Sequence, residues 1–183
     1  TANEDVVPHK IEAFNEEVET AVRQHNPAVL IIDQRLNGGG DYTRTADTMT
    51  ALPKLLDDDA RIYLLTSPLT FSAGISSVAF LKASGGEQVT IVGEAIGDNE
   101  RMWGETVAMT LPNSQLSMSL ATGLHDYRDG CYEFPHCYWL DFFNNVAVGS
   151  LAPDVTIPFT FTDYVAGKDA VFEAILNWEK NDS

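Results

Sequence analysis

The sequence has no long apolar run, few basic residues and only two cysteines. No stretch approaches the ~20 consecutive apolar residues of a transmembrane helix, so we expect no membrane span. Lys and Arg number 11 against 27 Asp and Glu, giving a net charge of −16. A surface this acidic repels nucleic-acid backbones and anionic membranes, which excludes nucleic acid as the expected partner. The ordinary interpretation of the charge is a well-solvated acidic surface.

The two cysteines, Cys131 and Cys137, lie in a short segment rich in aromatic residues. A pair this close can form a small-loop disulfide or remain as two buried thiols. We favour the disulfide, and with it an oxidising, periplasmic or extracellular location. His125 and His136 are nearby, but their spacing matches no common zinc pattern. We therefore expect no metal and no other cofactor.

The length of 183 residues, with 44% hydrophobic and 10% aromatic residues, is typical of one globular domain. A chain of this size buries about 70% of its unfolded surface. We expect a single core domain over residues 1–183. The first residue is Thr1, which fits either a processed form or a piece excised from a longer chain with an upstream domain. The partners we consider for this domain are an upstream domain of the same chain or, alternatively, further copies of the chain in a homo-oligomer.

Helical and strand patterns alternate along most of the chain. The predicted helices cover residues 10–24, 41–59, 73–84 and 168–180, and the predicted strands cover 28–34, 61–66 and 88–92. Strand 28–34 is almost entirely apolar, as expected of a parallel strand covered on both faces. Pro53 predicts a kink or break in the second helix. This order predicts an α/β fold.

The later part of the chain has a different pattern. Two strand-like runs within residues 106–122 flank the turn signature Leu111-Pro112-Asn113-Ser114, which predicts a hairpin. Residues 123–145 are aromatic, polar and irregular, and we interpret them as a long loop. Ordered long loops on compact domains commonly have a function.

Ser72 lies where an apolar strand turns into an apolar helix. A helix start collects free N–H groups and the positive end of the helix dipole, which favour a developing oxyanion. Serine is also an ordinary N-cap residue, so placement alone leaves a structural role open.

A second segment carries a family resemblance. Residues Asp33-Gln-Arg35-Leu-Asn37-Gly38-Gly39-Gly40 follow a buried strand, and Thr70-Phe-Ser72-Ala73 follow the next one. This order of motifs resembles the core of the C-terminal processing (tail-specific) and tricorn-type serine peptidases. The resemblance implies a Clp/crotonase-like spiral of ββα units. It also implies that Ser72 is the nucleophile, with oxyanion donors at Ala73 and at Gly38 or Gly39.

The general base is where the sequence departs from the family. Tail-specific peptidases use a lysine after the next strand, whereas this chain has Asp98 and Asn99 there. His125, followed by Asp126 in the predicted loop, is the best base candidate, because histidine titrates near neutral pH. His9, His25 and His136 rank lower.

The segment around Arg101 and Trp103 permits two interpretations. Arg101 could bind a peptide carboxylate beside Trp103, or the segment could be a structural turn with a local ion pair. For the whole chain we expect a serine peptidase that cleaves peptides or proteins through an acyl-enzyme. The alternatives are an inactive binding protein on the same fold and, third, acyl-CoA chemistry on a crotonase-type fold.

Overall fold

The computed structural model describes residues 10–181. Its strands are β1 (Val29–Asp33), β2 (Arg61–Thr66), β3 (Val89–Gly93), β4 (Arg101–Thr110), β5 (Ser117–Asp126) and β6 (Val155–Thr156). Its helices are α1 (Ile11–His25), α2 (Thr43–Ala51), α3 (Ala73–Gly85), α4 (Phe161–Ala166) and α5 (Ala170–Asn181). The predicted α/β architecture with a parallel sheet is confirmed. Its spiral arrangement and its extent as one domain stay predictions.

The central sheet has four parallel strands in the order β1-β2-β3-β6. In its register, Leu64 of β2 lies between Ile32 of β1 and Ile91 of β3. Because the strands are parallel, their carboxyl ends meet at one edge of the sheet. The loops after β1 and β2, which carry the two sequence motifs, therefore leave the sheet side by side.

Alternation along β2 divides the core into two layers. Ile62 and Leu64 pack in the cluster that contains residues of α1, α2 and α3. Tyr63 and Leu65 point to the other face, where they pack with Val171 and other residues of α5. Successive side chains of a strand point to opposite faces, so this strand needs helices on both sides.

Strands β4 and β5 form a separate antiparallel hairpin. Its distal part is exposed throughout residues 105–120, whereas residues 123–127 at its base are buried. The base packs on the main core through Met102 and Tyr127. The hairpin thus has a buried root and an exposed end.

Three local expectations need correction. The helix predicted over 41–59 is shorter, since α2 covers only Thr43–Ala51 and a 3₁₀ turn follows over Leu52–Leu55. The break predicted at Pro53 is confirmed, because proline lacks the N–H that a longer helix requires. His125 lies in β5 rather than in an irregular loop, since Met102 pairs with it across the hairpin. Strand β6 and helix α4 were not predicted, because both are too short to give a clear period.

No helix within residues 10–181 has the length and apolar character needed to span a bilayer.

Candidate active site

Ser72 occupies a strained turn immediately before α3. Its backbone has φ 51° and ψ −125°, a conformation that favours glycine. Within residues 10–181 its side chain makes no capping hydrogen bond, so the ordinary structural role of an N-cap serine is not fulfilled. Strained backbone often marks a functional position, and serine nucleophiles sit in such strand-to-helix turns.

Hydrogen bonds join the loop before Ser72 to the loop after β1. The Thr70 hydroxyl donates to the Gln34 carbonyl at 2.9 Å. The Phe71 N–H donates to the Asn37 carbonyl at 3.0 Å. Gly74 lies so close that a Cβ there would be 2.3 Å from the Asn37 carbonyl oxygen. The two motif loops are therefore held together as one unit.

Gly39 lies directly against Ser72. It has φ +108°, and a Cβ there would be 2.6 Å from the Ser72 Cβ. Its N–H, one of the oxyanion donors that the resemblance implies, donates to Asn37 Oδ1 at 3.1 Å. The local reason is an Asn37 side chain that reaches back over its own loop. Ala73, as the first helical residue, has an N–H without an intrahelical acceptor.

His125 is 3% exposed and lies among aromatic rings. The ring centroids of Tyr42, Tyr127 and Tyr138 lie 6.0, 6.2 and 5.4 Å from that of His125. Its Nδ1 is 3.0 Å from Oδ2 of the buried Asp141. The two atoms are not aligned as a hydrogen bond, and neither has a hydrogen-bond partner among the described residues. The two unpartnered atoms therefore face each other within hydrogen-bond distance.

Tyr42 holds the other oxygen of Asp141. Its hydroxyl donates to Asp141 Oδ1 at 2.9 Å. Burial, reinforced by the Asp141 charge, raises the pKa of Tyr42 well above its ordinary value, so the phenol stays a donor. Sequence reasoning missed both residues. Asp141 comes from a 3₁₀ turn, Trp139–Phe142, inside the segment interpreted as a loop, and no local pattern connects it to His125.

The opposite nitrogen of His125 faces β4. His125 Nε2 is 3.7 Å from Glu105 Oε1, and a Cβ on Gly104 would be 3.1 Å from the same nitrogen. Ser72 and His125 line one small cavity of about 40 Å³. The remaining lining residues are Gly40, Tyr42, Phe71, Ala73, Ser76, Asp98, Met102, Trp103, Gly104 and Glu105. The structure thus brings the two candidate catalytic side chains to the same cavity.

Of the two residues suggested for substrate binding, only Trp103 lines this cavity. Arg101 forms ion pairs with Glu133 at 2.7 Å and Asp126 at 3.4 Å. Asp126 also accepts the N–H of Arg128, so it closes the turn after β5. The local ion pair left open by the sequence is present. The carboxylates beside the His125 ring are those of Asp141 and Glu105, whereas Asp126 pairs with Arg101.

The disulfide Cys131–Cys137 is present, with the Cα atoms 5.8 Å apart. It packs on Leu124, the residue before His125. The Leu124 N–H donates to the His136 carbonyl, and the Leu124 carbonyl accepts the Tyr138 N–H, both at 2.9 Å. The cross-linked segment is therefore attached to β5 directly beside His125.

A larger cavity of about 470 Å³ lies at the carboxyl ends of the central strands and contains neither Ser72 nor His125. At its rim, Arg35 binds both Asp33 and Asp169. Burial acts to raise the pKa of Asp33, but the hydrogen bonds and charge of Arg35 lower it overall. The hydrogen bond from Arg35 lowers the pKa of Asp169. This motif arginine has a structural, bridging position.

Among residues 10–181, no group of three or more His, Cys, Asp or Glu side chains could hold a metal ion. His25 ends α1, and His136 contacts Trp103 with ring centroids 6.0 Å apart. Neither lines the cavity of Ser72. His9 lies outside the described residues.

Comparison with known proteins identifies the fold. No family model matches the sequence, and no curated protein matches it. Among solved structures, a proposed S41 protease from Bacteroides fragilis NCTC 9343 has a TM-score of 0.51 and 14% identity, over 93% of this chain and 50% of its own. The photosystem II D1 C-terminal processing protease has a TM-score of 0.46 and 15% sequence identity. This match covers 81% of this chain and 39% of that protein. The chain thus spans half the length of the first protein, with which it shares the fold of an S41 protease domain.

Proposed function

We propose that this chain is the core of a serine peptidase that cleaves peptide bonds through an acyl-enzyme on Ser72. The observation that carries the proposal is the shared cavity, which strained Ser72 and buried His125 both line, with Asp141 3.0 Å from the His125 Nδ1. A serine–histidine–carboxylate set on a peptidase fold supports acyl transfer. The proposal replaces the lysine of tail-specific peptidases with a histidine from β5.

In this mechanism His125 Nε2 takes the proton of the Ser72 hydroxyl as that oxygen attacks the scissile carbonyl. Asp141 orients the imidazole through Nδ1 and stabilises the imidazolium, and Tyr42 fixes the carboxylate. The same imidazole then returns the proton to the leaving amine. In the second half, His125 takes a proton from the water that attacks the acyl-enzyme and returns it to the Ser72 oxygen as the bond to the acyl group breaks and the carboxylic acid product leaves.

The oxyanion needs two donors near one point. Ala73 supplies one N–H at the start of α3. The second comes from the glycine loop 38–40, of which Gly40 lines the cavity. Gly39 would contribute only after its N–H leaves Asn37.

A binding protein without catalysis is the competing function. Two observations favour it: the cavity holds only about 40 Å³, and Asn37 accepts the Gly39 N–H. On this hypothesis Ser72 and His125 line a remnant site. For either function we propose a peptide or protein ligand and, because the disulfide needs an oxidising compartment, an extracellular or periplasmic location.

Labelling with a fluorophosphonate tests the catalytic assignment. We expect one covalent adduct, mapped to Ser72 by peptide mass spectrometry, and no adduct on Ser72→Ala. The probe requires an activated serine and does not depend on knowing the substrate. A protein that stays unlabelled at all pH values, while correctly folded, would favour the binding protein.

A pair of aspartate variants tests the role of the base. Asp141→Asn removes the charge at Nδ1 and should slow labelling by about 10²- to 10⁴-fold. Asp126→Asn is the matched control, since it changes the acid next to His125 in sequence but not the acid at the ring. We expect that control to lower the free energy of unfolding, because it weakens the hydrogen bonds of the turn after β5. The labelling rate of the folded control should stay within about threefold of the parent rate. Equal rates in all three proteins would remove Asp141 as the group that orients the His125 imidazole.

A further inference from the structure

The exposed end of the hairpin, residues 105–120, is here called the arm. Every residue of the arm is exposed. A two-stranded hairpin standing alone in water is marginally stable at best. Within residues 10–181 nothing covers the arm, so contact with a second surface would stabilise it.

The two faces of the arm differ sharply in chemistry. Val107 pairs with Leu120 and Met109 with Met118, while the Leu111 N–H bonds the Leu116 carbonyl at 2.9 Å. Side chains that alternate along paired strands share one face. The apolar face therefore consists of Val107, Met109, Leu111, Leu116, Met118 and Leu120, which are 38–63% exposed. The opposite face consists of Thr106, Ala108, Thr110, Ser117 and Ser119.

An apolar face of this kind marks an interaction site when it is contiguous. Six large side chains in three successive rungs form one patch, whereas scattered surface leucines need no explanation. The small and hydroxyl-bearing residues of the other face suit contact with water. Only one face of the arm is thus built for burial.

Charge indicates what covers this face. Residues 106–122 contain no Asp, Glu, Lys or Arg, although the chain has 27 acidic residues and a net charge of −16. Two copies of so acidic a protein repel each other wherever their bodies meet. The uncharged arm extends about 20 Å beyond Glu105 at ~3.4 Å per residue, which exceeds the screening length of about 8 Å at physiological salt.

We propose that the arm joins two copies of this chain, with the apolar faces of two arms packed together about a two-fold axis. The patch is the same on both copies and is apolar on both, so it is self-complementary as such an axis requires. Packing at the arms keeps the acidic bodies apart. This inference is independent of the proposed peptidase activity.

The size of the face sets the expected affinity. Six partly exposed side chains offer several hundred Å² per copy, somewhat below the ~800 Å² per partner of a standard interface. We therefore expect a reversible dimer that dissociates on dilution in the micromolar range.

Sedimentation velocity of the full chain tests the proposal at concentrations from about 1 to about 200 μM, which bracket the affinity expected of a small interface. Met118→Asp places a charge on the apolar face, where two-fold packing would bury it against the apolar face of the partner copy. We expect it to weaken the dimer at least about 100-fold. Ser119→Asp is the matched control, since it adds the same charge one residue away on the polar face. We expect its dissociation constant to stay within about threefold of the parent value.

Far-UV circular dichroism and urea midpoints check that each variant folds. If Met118→Asp does not fold, Leu120→Thr replaces it, because threonine keeps the strand preference while removing apolar surface. A parent protein that stays monomeric throughout the range would overturn the proposal. A dimer that Met118→Asp leaves intact would place the interface elsewhere, and equal loss with both variants would show that the contact is not specific to the apolar face.

Discussion

Replacing Ser72 by glycine should stabilise the protein while removing any serine chemistry. The backbone at Ser72, with φ 51° and ψ −125°, is one that glycine adopts freely and other residues adopt under strain. No capping hydrogen bond of the Ser72 side chain is lost among residues 10–181. Serine is therefore a destabilising residue at this position compared with glycine, as expected where a residue serves function.

The magnitude follows from two opposing effects. A residue other than glycine in such a conformation costs about 1–3 kcal/mol. Glycine gains more entropy than alanine in the unfolded chain, which costs about 0.5–1 kcal/mol. We therefore expect Ser72→Gly to exceed Ser72→Ala in free energy of unfolding by about 1 kcal/mol, or about 3 °C in Tm for a chain of this size.

Urea unfolding of the parent and both variants measures the difference at constant m value. Ser72→Ala keeps the strained backbone and loses only the hydroxyl, so it should lie close to the parent. At an unstrained position the sign reverses, and glycine would be the less stable variant by about 0.5–1 kcal/mol. That reversal would refute the strained turn and weaken its link to function.

Three further predictions follow from neighbouring contacts. Gly39→Ala places a Cβ at 2.6 Å from the Ser72 Cβ, and it should lower the free energy of unfolding in urea by about 1–3 kcal/mol and remove most of the fluorophosphonate labelling. Wild-type stability and labelling would show that the glycine loop is free to move. Reduction of Cys131–Cys137 should lower the free energy of unfolding by about 2 kcal/mol and slow labelling, because the cross-linked segment is hydrogen-bonded to the strand beside His125. Unchanged labelling in reduced, folded protein would show that the disulfide does not position the site. Asp169→Asn should cost about 1 kcal/mol at pH 7, discounted for its exposure. Arg35 lowers the pKa of Asp169, so this contribution is fully present above the unfolded pKa of about 4 and is lost as the pH falls through the lower folded pKa. The urea midpoints of variant and parent should therefore approach each other only on acidification below about pH 4.

The sequence by itself determined the α/β class and the meeting of the two motif loops. Apolar strands that alternate with helices must form a covered parallel sheet, and parallel strands end at a common edge. Ser72 and Gly39 follow consecutive strands of the chain, and consecutive strands usually lie side by side in a sheet, which favours their proximity. The Cys131–Cys137 disulfide was also predictable, because two cysteines so close in the chain have few other partners.

Only the tertiary structure decided which groups surround His125. Asp141 is 16 residues from it in sequence, in a segment without regular periodicity, and the two meet because both pack beneath Tyr42. The adjacent Asp126 was the apparent companion, yet strand alternation turns neighbouring side chains to opposite faces. The exposure of the arm likewise could not be read from its pattern, since alternating apolar residues predict a buried face. Local sequence specifies which residues can be buried, but long-range packing decides what they are buried against.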